Sequence, residues 1–140
     1  MKLSTLLSIA LSTTAIYQSN SQDNNLKLNK IQVIGSHNSY KKAIEPNLYK
    51  YLELKDSTHQ LKGIQYEHIA VTDQLNMGLR NLEIDIYADS KGGKYAHPKG
   101  LELATPVEPY DIEGKMNKPG FKILHIPDID FRTSYLTFED

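Results

Sequence analysis

Three short apolar runs, each leading into ionisable or amide side chains, constrain this chain more than any other feature. Residues 30–35 (Lys-Ile-Gln-Val-Ile-Gly) are short, β-branched and closed by glycine, which predicts a strand. A polar loop follows at once: Ser36, His37, Asn38, Ser39, Tyr40. Residues 80–86 predict the clearest strand, because Leu82, Ile84 and Ile86 alternate with Asn81, Glu83 and Asp85. Residues 121–126 predict a third strand, entered through Pro119-Gly120 and ending on His125 and Ile126.

The segments between these strands differ in kind. Residues 41–62 are polar and Tyr-rich, with weak helical signals. A helix is predicted from about Ile64 or Tyr66 to Met77, with Gly78 as the residue just past its C-terminus. A turn is predicted at residues 88–93. Residues 95–119 are punctuated by Pro98, Pro106, Pro109 and Pro119 and predict an irregular excursion. Residues 131–140 begin a further element. The order strand, loop, helix, strand, excursion, strand predicts an α/β fold with a parallel βα arrangement. In such folds chemistry gathers just past the C-terminal ends of the strands. Here those positions hold His37 and Asn38, then Glu83 and Asp85, then His125.

Composition narrows the functional classes. The chain has 140 residues and a net charge of −1, so a basic nucleic-acid-binding surface is not expected. It has no Cys, which removes disulfides, thiolate zinc sites and cysteine nucleophiles. Charged residues make up 24%, which together with modest Gly and Pro counts argues against wholesale disorder. At the N-terminus, Lys2 precedes an uncharged stretch over residues 3–17, and Ser19-Asn20-Ser21 supplies small residues before a polar start at Gln22. That order predicts a secretory signal peptide over residues 1–21 and a secreted or periplasmic mature chain. The apolar run is too short for a membrane span, which needs roughly 20 apolar residues, so no transmembrane segment is expected in the mature chain.

Glu83 and Asp85 point to one face of a strand because side chains i and i+2 do so. Two carboxylates on an inward face repel unless a cation or basic group sits between them. Oxygen donors at this spacing suit a hard divalent ion, Ca²⁺ or Mg²⁺, and Asn38 can add an amide oxygen. A solvated polar strand face is the plainer reading of the pair. His37 and His125 titrate near neutrality and can serve as general base and general acid. His97 competes with His125 for the second role, while His59 and His68 are read as structural. Two imidazoles beside a carboxylate–amide cation site describe metal-assisted phosphodiester chemistry.

Residues 34–40, then Asp73-Gln74-Leu75 leading to Gly78-Leu79-Arg80, then 82–89, and then 115–132 resemble the secreted, calcium-dependent phosphoinositide phospholipase C family. The resemblance extends over residues 31–138. It implies an irregular TIM-type (β/α) barrel of the phospholipase C-like phosphodiesterase class, with residues 22–140 as its N-terminal part, incomplete in this chain. It also implies attack of the inositol 2-hydroxyl on phosphorus, releasing diacylglycerol and a cyclic inositol phosphate. Position by position, His37 and His125 match the family's catalytic histidines, and Asn38, Glu83 and Asp85 match its Ca²⁺ ligands. The implied partner is a phosphoinositide or other phosphodiester at a membrane surface. A glycerophosphodiester phosphodiesterase-like enzyme, or an inactive binding relative, are the alternatives that the residues leave open.

Overall fold

The computed structural model describes residues 26–140. The signal peptide expected at residues 1–21 lies outside the described residues. The chain divides into two compact units, one ending at Gln32 and one spanning Val33–Asp140. The described part of the first unit carries a 3-10 turn at Leu28–Lys30. The second unit holds the short strands and helices that bear on function, in a mixed α/β arrangement. Among the described residues no helix is long and apolar enough to cross a membrane.

Strand β1, Gly35–Ser36, pairs in parallel with β2, Asn81–Leu82, in the register Gly35↔Asn81 and Ser36↔Leu82. Gly35 is required at this crossing: a Cβ there would lie 2.4 Å from the Asn81 carbonyl oxygen. The first strand is therefore much shorter than the predicted 30–35, and regular pairing begins only at the glycine. The predicted strand 80–86 is also divided. Its first part is β2, and its last residue opens β3, Ile86–Asp89. Residues 83–85 between them bond instead to the loop after β1. Glu83 N–H donates to Ser39 Oγ at 3.1 Å, and Ser39 N–H donates to Glu83 O at 2.9 Å.

The parallel expectation fails for the third strand. β4, Gly120–Ile123, runs antiparallel to β3 with Ile86↔Ile123 and Asp89↔Gly120. The reason lies in the turn after β3. Asp89 is buried and its carboxylate accepts from Gly92 N–H at 2.9 Å and Lys94 N–H at 3.0 Å. Gly93 N–H donates to Met116 O at 2.9 Å. Gly92 lies so close to Asn117 that a Cβ would come within 2.2 Å of its carbonyl oxygen. The end of β3 is thus pinned beside the residues that enter β4, and the chain can return only in the opposite direction.

Helix α1, Pro46–Glu53, forms in the polar stretch whose helical signals are weak. Pro46 occupies the first turn, where its fixed φ suits the helix and its missing N–H costs no bond. Leu48 from this helix is buried with Ile44, Leu61 and Phe131. Each such side chain contributes roughly 1.5–3 kcal/mol through burial. Helix α2, Val71–Asn76, is shorter than predicted, although Gly78 with φ +102° ends it as expected. Residues 65–70 stay out of the helix because their polar groups are engaged elsewhere. His68 N–H donates to Lys41 O at 3.0 Å, and the Gln65 amide brackets Ile44 N–H and O at 3.1 and 3.0 Å. The excursion before β4 includes a short α-helix, α3, Gly100–Leu103, and a 3-10 turn at Lys115–Asn117. A second apolar cluster joins Ala96, Met116 and Leu124. Residues 131–140 form no regular element. They run along β4, with Ile123 N–H donating to Leu136 O at 3.1 Å and Phe138 N–H to Phe121 O at 3.0 Å.

Candidate active site

The loop after β1 turns sharply because Asn38 adopts φ +51°, a left-handed conformation that asparagine tolerates better than most residues. The turn leaves His37 exposed and buries Asn38, Ser39, Tyr40 and Lys41. Gln74, from α2, locks it. Its amide group donates to Ser39 O at 2.7 Å and Ile69 O at 2.8 Å, and it accepts from Ser36 Oγ at 2.5 Å.

Glu83 and Asp85 both reach this loop, so the two-residue spacing does put them on one side. Glu83 Oε2 accepts from Asn38 N–H at 2.6 Å. Asp85 Oδ2 accepts from Tyr40 O–H at 2.9 Å, and the same hydroxyl lies 3.3 Å from Asn38 Oδ1. Burial of Tyr40, then its hydrogen bond to Asp85, then the charges of Asp85, Glu83 and Asp130 push its hydroxyl well above the ordinary tyrosine range. Tyr40 is therefore a neutral donor, and it brings the Asn38 and Asp85 oxygens to one point.

His125 arrives by the antiparallel register. Ile123 of β4 stands opposite Ile86, so the residues that follow it run back alongside 84–85. His125 Nδ1 is 2.7 Å from Asp130 Oδ2, and its carbonyl accepts from Tyr87 O–H at 2.8 Å. The result is a cavity of about 390 Å³ lined by His37, Asn38, Gly63, Ile64, Tyr66, His68 and His125. The two predicted imidazoles share this cavity. His97 does not line it; it borders a different cavity beside Leu124 and Pro127. Leu124 lines that second cavity, whereas the next residue, His125, lines the first.

Several residues of the site were missing from the sequence reading. Tyr66 O–H accepts from Asn38 Nδ2 at 2.8 Å and lies 3.4 Å from His37 Nδ1. His68, read as structural, lines the cavity while its Nε2 sits 2.9 Å from His37 O. Asp130 and Lys41 are both fully buried, and their charged groups lie 3.1 Å apart. The available signal for Asp130 was its position five residues after His125, across the turn that begins at Pro127.

The donor chemistry near Asn38 fits a hard cation. It consists of oxygens only: the Asn38 amide and the Glu83 and Asp85 carboxylates. Glu83 Oε1 and Asp85 Oδ1 are left over after the bonds to Asn38 N–H and Tyr40 O–H. Among the described residues no group of three or more His, Asp or Glu side chains converges on a metal-sized site. The set reaches three protein ligands only through the amide of Asn38.

A family model described as phosphoinositide phospholipase C, Ca²⁺-dependent, matches residues 26–140. No curated relative and no solved structure matches the chain. The matched span includes the β1 loop, both acidic positions and the β4 histidine, and it takes in well over half of the chain. The chain belongs to the Ca²⁺-dependent phosphoinositide phospholipase C family.

Proposed function

We propose that this protein is an exported phosphodiesterase that cleaves the glycerol–phosphate ester of phosphatidylinositol. The observation that carries the reading is the cavity shared by His37 and His125, with Asn38 tying its floor to Glu83 and Asp85. One imidazole takes the proton of the inositol 2-hydroxyl as its oxygen bonds to phosphorus. The other gives a proton to the glycerol oxygen as the P–O bond breaks. Diacylglycerol leaves, and a cyclic inositol phosphate remains that water can open. Asn38, Glu83 and Asp85 are the residues that would hold Ca²⁺, which when bound lowers the pKa of the attacking hydroxyl and offsets phosphate charge. His125 donates its Nδ1 proton to Asp130, which leaves Nε2 as the atom that exchanges a proton. Tyr66 and Asn38 fix the ring of His37 through its Nδ1. In this reading β1 and β2 are parallel strands of an irregular TIM-type barrel, and residues 1–21 direct export.

The test is release of cyclic inositol phosphate from phosphatidylinositol vesicles by the full chain, with Ca²⁺ and with a chelator. His37→Ala and His125→Ala should each lower kcat by about 10²- to 10⁴-fold, the usual worth of positioned acid–base groups. Undiminished turnover in either variant, or indifference to the chelator, sinks the reading. Export is checked separately by N-terminal sequencing of secreted protein, which should begin at Gln22.

A further inference from the structure

We propose that Lys41, which does not line the cavity, is a positioning residue that couples the two imidazoles. The inference rests on the reading of His37 and His125 as the acid–base pair. Lys41 and Asp130 are both fully buried. Lys41 Nζ lies 3.1 Å from Asp130 Oδ1, an ion contact rather than an aligned hydrogen bond. The other oxygen of that carboxylate, Oδ2, holds His125 Nδ1 at 2.7 Å. Lys41 thereby sets the charge and rotation of the group that sets the ring of His125.

The same ammonium reaches toward His37. It donates to Tyr66 O at 3.0 Å and to Lys42 O at 3.1 Å, and it stands over the Tyr66 ring, 4.7 Å from the centroid. The Tyr66 hydroxyl accepts from Asn38 Nδ2 and faces His37 Nδ1. One buried cation therefore grips the partner of each imidazole. Its backbone joins in: Lys41 O accepts from His68 N–H, and Lys41 N–H donates to Asn38 O at 2.9 Å. A buried ion pair is a costly way to fill space, since well-packed apolar residues of similar volume often serve stability as well or better. Packing alone gives no reason to place an ammonium and a carboxylate here. Fixing two rings at one distance does.

The test begins with the wild-type full chain and needs no substrate. ¹⁵N NMR of the neutral imidazoles should show the His125 proton on Nδ1. Lys41→Met and Asp130→Asn should then mix the two His125 tautomers. With phosphatidylinositol, each variant should lose about 10- to 100-fold in kcat, the usual effect of removing a partner behind a functional histidine, while KM stays within about twofold. Because both act through one carboxylate, the double variant should lose no more than the worse single variant. A folded Lys41→Met protein with unchanged kcat overturns the proposal, as do additive losses or a wild-type His125 carrying its proton on Nε2. Should Lys41→Met fail to fold, the wild-type tautomer and the Asp130→Asn kinetics still decide. Absence of cyclic inositol phosphate from the wild type is a different failure, that of the phosphodiesterase reading, and it leaves the tautomer measurement standing.

Discussion

Two buried regions of the molecule are built on opposite principles. Around α1, Ile44, Leu48, Leu61 and Phe131 form an apolar cluster whose cohesion is non-directional. Around the β1 loop, Asn38, Ser39, Lys41, Gln74 and Asp130 are as deeply buried yet entirely polar. Each of these is held by directional bonds, as Gln74 is to Ser36, Ser39 and Ile69. An apolar cluster tolerates exchange at constant volume. A buried polar network loses the full desolvation cost of any group left unpaired. Stability can therefore be carried on one side and the placement of functional atoms on the other.

The comparison breaks first, if it breaks at all, at Leu48. Leu48→Ala removes a fully buried side chain and should cost about 3 kcal/mol of unfolding free energy, read from urea denaturation. Turnover per folded molecule should stay near wild type. A matching collapse of kcat in the folded fraction would show that the two regions are not separable. Next comes Gln74→Leu, which keeps the volume and removes the amide. It strands Ser39 O and Ile69 O, leaves the Ser36 hydroxyl only its bond to the Ser39 hydroxyl, and should cost about 1–3 kcal/mol. Here kcat should fall as well, because the loop that carries His37 and Asn38 loses its lock. Loss of stability with full kcat would place Gln74 with the apolar region.

The same contrast explains what the sequence disclosed. The shared side of Glu83 and Asp85 was legible because spacing along an extended chain decides which side chains share a face, and local geometry preserved that face even where regular pairing stopped. The end of α2 was legible because Gly78 sits at a positive φ that few residues accept. The direction of β4 was not, since a strand's pattern says nothing about its partner, and the decision was made by Asp89, Gly92 and Gly93 in the turn before it. Tyr66 and His68 were hidden for a related reason. Their stretch reads as helix, but the bond from His68 N–H to Lys41 O and the Gln65 bracket on Ile44 hold it extended against the loop. Asp130 and Lys41 carry charges that pattern reading assigns to the surface, and only the fold shows them paired.

Tyr110 gives the mildest probe, because it brings one polar atom into the apolar side. Its ring packs edge-on against Phe131 at 5.1 Å, but its hydroxyl is buried without a partner. Burial, and then the charge of Asp111, push that hydroxyl above the ordinary tyrosine range, while Arg132 opposes them. The unfolded chain therefore releases the Tyr110 proton before the folded protein does. This contribution to stability is intact below the ordinary tyrosine value of 10.0 and is lost progressively as pH rises above it. Tyr110→Phe keeps the ring and discards the stranded hydroxyl, so at neutral pH it should stabilise the protein by about 1 kcal/mol. The advantage of the variant should widen above pH ~10, where only the wild type has this proton to lose on unfolding. Parallel denaturation curves at neutral and alkaline pH measure both effects. A destabilised variant would mean that the hydroxyl has a partner, and that polar order extends into the apolar cluster as well.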